Sequence, residues 1–165
     1  MAERIGIVAF AFGVPATIEA NKQIAKVATA IFHEMDAVAI FTQRDVILEP
    51  DSARYFPKED PNNPPPTLRI ARGAVEWAEV CGIKQLYVVA AQPHYWRAFR
   101  DLQKAVRENR LKIEVCRVSR IDDYLEDSWF CTDSTQERTQ SLENWEKREK
   151  ILRWMPFWIY KIIAS

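Results

Sequence analysis

Apolar and polar positions follow strand-like and helix-like patterns in turn along the chain. The apolar run RIGIVAFA over residues 4–11 has the length of a β-strand and the composition of one buried on both faces. After the turn at Gly13 and Pro15, Thr17 is placed to cap a helix. The inward positions of that helix recur at helical spacing: Ile24, Val27, Ala28, Ile31 and Met35. A second apolar run, AVAIF at 37–41, completes a strand–helix–strand unit.

The same alternation returns after a proline-rich interval. Residues 46–66 contain repeated prolines and predict a long irregular loop, of a length typical of lids and binding loops. A helix capped by Thr67 is predicted to end at Gly82, and it is followed by the strand KQLYVVAA at 84–91. The inward face of this helix comprises Leu68, Ala71, Val75 and Ala78.

A third helix is predicted to begin near His94, and a last strand, LKIEVCRV, is predicted at 111–118 with one solvated face. The inward positions of the helix are Tyr95, Phe99, Leu102 and Val106. Strands alternating with helices predict an α/β fold with a doubly wound, mostly parallel, Rossmann-like sheet and right-handed crossovers. We expect a single domain over residues 1–165, with its core sheet and helices in residues 1–118.

Residues 119–165 form a predicted helical C-terminal extension with an aromatic tail. A charged helix is expected over 134–155, capped by Asp133 or Ser134 and broken at Pro156. Its candidate packing residues are Leu142, Trp145, Ile151 and Leu152. The tail WMPFWIYKIIAS is too short and interrupted to span a bilayer. We expect it to dock on the domain's own sheet or on a second subunit, which would make a homo-oligomer; peripheral contact with a membrane is the alternative.

Composition narrows the possible partners. Lys plus Arg and Asp plus Glu number 23 each, so the chain has no net charge that would favour nucleic acid. Its three cysteines show no Cys-x-x-Cys spacing, which argues against a disulfide framework or structural zinc. A reducing cytoplasm is therefore the simplest location. The apolar run at 4–11 superficially resembles a signal peptide, but the amphipathic helix directly after it favours a buried strand.

The start of the third helix carries the most suggestive polar residues. Helical spacing places His94, Arg97 and Asp101 on one flank, toward the crevice or solvent. A helix start with free backbone N–H groups, together with the Arg97 guanidinium, suits phosphate or carboxylate. Alternatively, Arg97 pairs with Asp101 on a solvated face and His94 only begins the helix. Asp45 could orient His94 or pair with Arg97, or be an ordinary loop residue.

Ligands of doubly wound sheets bind beyond the carboxyl ends of the strands, where residues 12–17, 42–45 and 92–97 should converge. The chain has no G-x-G-x-x-G, Walker loop, G-x-S-x-G or H-E-x-x-H signature, and Gly13 alone is a weak phosphate-binding signal. His33 and His94 lie far apart without a linked acidic cluster, so no metal site is expected. The residue pattern identifies no cofactor.

Residues 67–98, TLRIARGAVEWAEVCGIKQLYVVAAQPHYWRA, resemble the second half of the YdcF, SanA and ElyC family of bacterial proteins of largely undefined function. The shared features are a threonine that opens a helix, a glycine that ends it, an apolar strand, and a histidine followed three residues later by Arg-Ala. The resemblance covers about residues 1–118 and implies a Rossmann-like sheet with its pocket at the strand ends. It adds weight to His94 and Arg97 as site residues.

The chain departs from that family at positions that bear on the ligand. Ile70 stands where the family commonly has asparagine, and Gly13 and then Gln43-Arg44 stand where it often has glycine pairs. The ligand of this chain could therefore differ.

These observations lead us to expect a protein that binds a small anionic or nucleotide-like molecule at the carboxyl edge of its sheet. Arg97 would hold the anion, and His94 would donate a hydrogen bond or act as acid or base. Gly13 and the residues after the second strand would line the opposite wall: Thr42, Gln43, Arg44 and Asp45. Two alternatives remain: a hydrolase or transferase for phosphorylated or nucleotide substrates that uses His94, and a noncatalytic assembly protein that uses its aromatic tail.

Overall fold

Five parallel strands form the centre of the molecule. The computed structural model describes residues 4–57, 59 and 64–164. The strands are β1 (Ile5–Ala9), β2 (Ile40–Thr42), β3 (Ala53–Tyr55), β4 (Gln85–Val89) and β5 (Glu114–Arg117). Their spatial order is β3-β2-β1-β4-β5, and every neighbouring pair is parallel. The predicted Rossmann-like α/β fold is confirmed.

Three helices connect these strands: α1 (Glu19–Glu34), α2 (Thr67–Val80) and α3 (Gln92–Glu108). The chain moves outward from β1 to β3, then returns across the sheet to β4. With right-handed crossovers, this reversal places α1 on one face and the paired α2 and α3 on the other. The strand order reverses between β1 and β4, so the ligand crevice of such a sheet lies at the carboxyl ends of these two strands.

The central strands are covered on both faces, which explains their near-continuous apolar sequences. Fully buried side chains alternate on both sides of β1 and β4: Ile7, Val8, Leu86, Val88 and Val89. β5 is an edge strand with a partly exposed pattern, as its mixed apolar and charged sequence predicted.

The predicted threonine caps are wrong for α1 and α2. The N-cap of α1 is Ile18, and Asn21 organises the entry instead by accepting from Phe12 N (2.9 Å) and donating to Gly13 O (3.0 Å). Thr67 is the first residue of α2, and its hydroxyl makes no cap hydrogen bond. Side chains from α3 contact that hydroxyl, so tertiary contacts override the local capping preference in this helix.

The proline-rich interval is not irregular throughout. Residues 53–55 form β3, which pairs only with β2 at the sheet edge. Pro50 and Pro57 flank this short strand and do not interrupt its hydrogen bonds, as is typical of edge strands. The remaining part of the predicted loop at residues 58 and 60–63 lies outside the described residues.

The C-terminal extension contains three short 3₁₀ turns followed by α4 (Leu142–Trp154) and α5 (Phe157–Ile163). The predicted helix over 134–155 with a cap at Asp133 or Ser134 is wrong at its start, because Ser141 caps α4 by accepting from Asn144 N at 3.3 Å. The Ser134 hydroxyl instead contacts Thr139 Oγ1 at 2.7 Å. Pro156 separates the two helices, as predicted.

The aromatic tail docks on the domain itself, but on helices α2 and α3 and not directly on the sheet that was predicted. Leu152, Tyr160 and Ala164 form a buried cluster with Leu68 of α2, and the Tyr160 hydroxyl donates to the Asp101 carboxylate of α3. Among the predicted packing residues, Trp145 and Leu152 are buried and Leu142 is half-buried, whereas Ile151 is exposed. Within the described part of the chain, none of the helices has the length and apolar character needed to cross a membrane.

Candidate functional site

A cavity of about 360 Å³ lies at the carboxyl ends of the strands. Its walls come from the loop after β1, the loop after β2, the starts of α2 and α3, and the C-terminal extension. The two loops and the two helix starts leave a crevice open at the edge of the sheet. The C-terminal extension covers this crevice and forms the remaining wall of the cavity. The lining includes His94 and Arg97.

Thr67 joins the two predicted site residues of α3. Its Oγ1 lies 3.1 Å from His94 Nε2 and accepts a hydrogen bond from Arg97 Nη1 at 3.2 Å. His94 is 6% exposed and Arg97 is 7% exposed, so neither lies on a solvated helix face. The arrangement fixes the side chains of three residues at the point where α2 and α3 both begin.

Two side chains of the C-terminal extension also contact Arg97. Its Nε lies 3.2 Å from Glu149 Oε2, and its guanidinium lies 5.3 Å from the ring centroid of Trp145. Asp101 pairs with Arg100 at 2.7 Å and with Tyr160, so the predicted alternative of a solvated Arg97–Asp101 pair is wrong. The flank that carries these residues is buried because α4 and α5 cover it.

The environment of His94 favours its neutral form. Burial lowers the pKa of His94 well below its usual value of 6.5, and the positive charge of Arg97 lowers it further. The aromatic rings of Phe10, Phe12 and Trp145 surround the imidazole, and Nδ1 is buried without a hydrogen-bond partner among the described residues. The ring is therefore uncharged at neutral pH.

Two arginines of the extension reach the cavity and were not identified from the sequence. Arg138 is half-buried and Arg148 is exposed, and both line the cavity with Arg97 and Arg69. Burial and the charges of Arg148 and Arg97 lower the pKa of Arg138 to about 10. Partial burial and the charge of Arg97 also lower the pKa of Arg148.

The positive charges outnumber the negative ones at this site. Of the carboxylates, Asp45 lines the cavity and Glu149 lies beside Arg97. Burial raises the pKa of Asp45 above its usual value. Over residues 4–57, 59 and 64–164, the ion pairs involve neither Arg138 nor Arg148. These two arginines therefore present cationic donors to the cavity without forming ion pairs in the described part of the chain, although the charge of Glu149 acts on Arg148.

The other predicted site residues divide into two groups. Gly13, Gln43 and Asp45 line the cavity, and Gln43 Oε1 accepts from Ala11 N at 2.8 Å. Thr42 and Arg44 lie outside the lining. Thr42 is fully buried and donates to Ala9 O at 2.9 Å, which ties β2 to β1, whereas the exposed Arg44 donates from its backbone N to Glu59 Oε2 at 2.7 Å.

The donor set of the cavity suits an anion and not a metal ion. Guanidinium, amide and hydroxyl groups make up most of the polar groups of its wall, whereas metal ions in proteins prefer carboxylate, imidazole and thiolate ligands. In the described part of the chain, no three His, Cys, Asp or Glu side chains cluster in a way that could hold a metal.

Comparison with known proteins found no matching family model, no matching curated protein and no matching solved structure. The resemblance to the YdcF, SanA and ElyC family remains a hypothesis that covers about residues 1–118 and depends mainly on residues 67–98.

Proposed function

We propose that the chain binds a small phosphorylated or otherwise polyanionic ligand in the arginine-lined cavity. The observation that carries this proposal is the pair Arg138 and Arg148, which line the cavity without an ion pair in the described structure. Besides burial, the charges of Arg148 and Arg97 lower the pKa of Arg138, and the charge of Arg97 lowers the pKa of Arg148. A bound anion would relieve the repulsion between these like charges. Arginine is also well suited to phosphate because its fork of N–H donors matches phosphate oxygens.

Several features of the fold would add to the attraction for an anion. Arg97 is oriented by Thr67 and Trp145, so little side-chain entropy would be lost on binding. Both α2 and α3 begin at the cavity, and the positive ends of their dipoles add to the potential there. The volume lies at the low end of the range for small-molecule sites, which favours a phosphorylated metabolite or mononucleotide over a dinucleotide.

The state of His94 favours binding over acid–base catalysis. A histidine whose pKa lies well below neutrality has little imidazolium to donate a proton and is a weak base. Its hydrogen bond with Thr67 supports a positioning role, since Thr67 also contacts Arg97. The alternative of a hydrolase or transferase that relies on His94 is therefore less well supported than ligand binding.

A thermal-shift series tests this proposal. The chain is heated with inorganic phosphate, pyrophosphate or mononucleotides at fixed ionic strength. A ligand at a hundredfold excess over its Kd stabilises the native state by about 2.7 kcal/mol, which raises Tm by several degrees. We expect pyrophosphate or a mononucleotide to produce such a shift in the wild type and little or no shift in Arg138→Ala and Arg148→Ala.

The matched control is Arg120→Ala, which removes an arginine that pairs with Glu34 outside the cavity. This variant should keep the full shift. The proposal fails if no anion changes Tm of the wild type, or if Arg120→Ala reduces the shift as much as Arg138→Ala does.

A further inference from the structure

The outer side of the C-terminal helices is apolar and uncovered. Ile151 and Trp154 of α4 are 64% and 88% exposed, and Trp158 and Ile162 of α5 are 68% and 72% exposed. These four residues are called the C-terminal apolar face. Their spacing of three in α4 and of four in α5 places each pair on one side of its helix.

The opposite side of the same helices is firmly attached to the domain. Leu152 and Tyr160 are buried against Leu68, and Tyr160 donates a hydrogen bond to Asp101. Met155 and Phe157, on either side of Pro156, pack against the same cluster. The C-terminal apolar face is therefore the outer surface of a docked element, and its exposure does not result from a detached tail.

The segment that carries this face is positively charged. Residues 150–163 contain Lys150, Arg153 and Lys161 and no acidic residue. Lys150 pairs with Glu146 at 3.7 Å, and because both side chains are exposed this pair is weak. Lys161 pairs with Glu108 at 3.1 Å, and its side chain is 51% exposed. Arg153 lies 5.3 Å from the ring of Trp96, a half-exposed residue of α3.

Two basic side chains of α3 lie close to the ring of Phe157, the first residue of α5. Lys104 Nζ lies 4.8 Å from the ring of Phe157, and the Arg100 guanidinium lies 5.6 Å from the same ring. This part of the surface thus combines exposed tryptophan and isoleucine with lysine and arginine. That combination is typical of surfaces that lie in the headgroup region of a bilayer, where tryptophan rings and basic side chains both find partners.

We propose that the C-terminal apolar face docks the protein on a membrane surface that contains anionic phospholipids. Trp154 and Trp158 enter the headgroup region, and Lys150, Arg153 and Lys161 attract the lipid phosphates. The positive charge of residues 150–163 favours an anionic bilayer as the binding partner, because the lipid phosphates complement the two lysines and the arginine. The inference is independent of the proposed ligand in the cavity.

Co-sedimentation of the full chain with vesicles tests this inference. The vesicles consist of phosphatidylcholine alone, or of phosphatidylcholine and phosphatidylglycerol in equal parts. We expect sedimentation with the anionic vesicles, and a loss of about fivefold in affinity for each of the changes Lys150→Gln and Arg153→Gln. The double variant Trp154→Ser/Trp158→Ser should bind at least about tenfold more weakly, since both rings leave the bilayer interface.

Two control variants establish whether vesicle binding belongs to this face. Leu125→Ser removes an apolar side chain that is 81% exposed outside the face, and it should bind vesicles like the wild type. Arg138→Ala should also bind like the wild type, which excludes lipid headgroups held in the cavity. Far-ultraviolet circular dichroism establishes that each variant is folded.

Three results would overturn the inference. One is the absence of sedimentation with anionic vesicles at low ionic strength. Another is binding that the tryptophan double variant retains in full. The third is a dimer in analytical ultracentrifugation that dissociates in the double variant while vesicles are not bound, because a second copy would then cover the face.

Discussion

At the scale of single residues, the site depends on polar groups that each contact several partners. Thr67 contacts both His94 and Arg97, and Arg97 contacts Glu149 and Trp145 as well. Buried polar networks of this kind are stable only when their members stay matched in charge and hydrogen bonding. A change in the charge of one member should therefore change the stability of the fold.

We predict that protonation of His94 destabilises the protein in mild acid. The pKa of His94 in the folded protein lies well below 6.5, the value expected in the unfolded chain. Below about pH 6.5, His94 binds a proton in the unfolded chain but stays neutral in the native state. The free energy of unfolding therefore falls as pH falls, by about 1.4 kcal/mol per pH unit. This contribution is complete above pH 6.5 and is lost progressively below it.

Urea denaturation between about pH 7.5 and pH 5.5 measures this dependence, since the interval spans the pKa of a histidine in the unfolded chain. His94→Gln keeps an amide nitrogen near the Nε2 position but does not titrate, so its stability should change less over this interval. His33→Gln, which replaces an exposed histidine, is the control and should behave like the wild type. Equal pH dependence in His94→Gln and the wild type would show that the buried imidazole is not the responsible group.

The sequence predicted His94 and Arg97 because both belong to one element whose start is visible in the local pattern. It could not predict that Thr67 joins them, since this contact spans two helices and 27 to 30 residues of chain. Arg138 and Arg148 were missed for a related reason. They belong to the extension, and nothing in its local pattern indicates that it folds back over the carboxyl ends of the strands.

At the scale of elements, the extension is joined to the loop after β1 by a compact set of hydrogen bonds. Thr135 N donates to Val14 O at 2.7 Å, and Ser134 Oγ lies 2.7 Å from Thr139 Oγ1. Gly13 lies directly beneath these hydroxyls with a φ of +93°. A side chain at this position would meet both an unfavourable backbone conformation and occupied space.

We predict that Gly13→Ala is much more destabilising than Gly82→Ala. A Cβ at position 13 would lie 2.7 Å from Thr139 Oγ1 and 2.8 Å from Ser134 Oγ, whereas a Cβ at position 82 would meet nothing within 4 Å. Both glycines have positive φ, so Gly82→Ala isolates the conformational cost of roughly 1 kcal/mol. Gly13→Ala should cost roughly 3 kcal/mol, because crowding is added.

Urea denaturation of the two variants measures this difference. A similar loss of stability in both variants would mean that Ser134 and Thr139 of the extension do not pack closely against Gly13. The extension would then enclose the cavity less tightly. The variant with the larger loss should also bind anions more weakly, because displacement of Thr139 moves part of the cavity wall.

Elements were predictable from sequence where a long apolar pattern sets their limits. β1, β4 and the inward face of α3 have such patterns, and the structure contains them near the expected positions. The short β3 was not predictable, because it forms only by pairing with β2. The start of α4 was predicted too early, because hydrogen bonds to the loop after β1 hold Ser134 outside the helix and Ser141 caps it instead.

At the scale of the whole molecule, equal numbers of positive and negative residues conceal a local excess of positive charge. The formal net charge is zero, yet four arginines line the cavity while Asp45 is its only acidic lining residue in the described structure. The strand reversal between β1 and β4 creates the crevice, and the extension brings Arg138 and Arg148 to it. The overall composition argues against nucleic acid as the obvious partner but gives no indication of this cluster.

A crystal structure of the protein with tungstate would show where an anion binds, because tungstate is a heavy-atom analogue of phosphate that anomalous scattering locates without ambiguity. We expect tungstate in the cavity at hydrogen-bond distance from Arg138 and Arg148, with competing phosphate removing it and Arg138→Ala crystals lacking it. Tungstate bound only on the outer surface, while the cavity holds no anion, would contradict the proposal that these arginines form a ligand site.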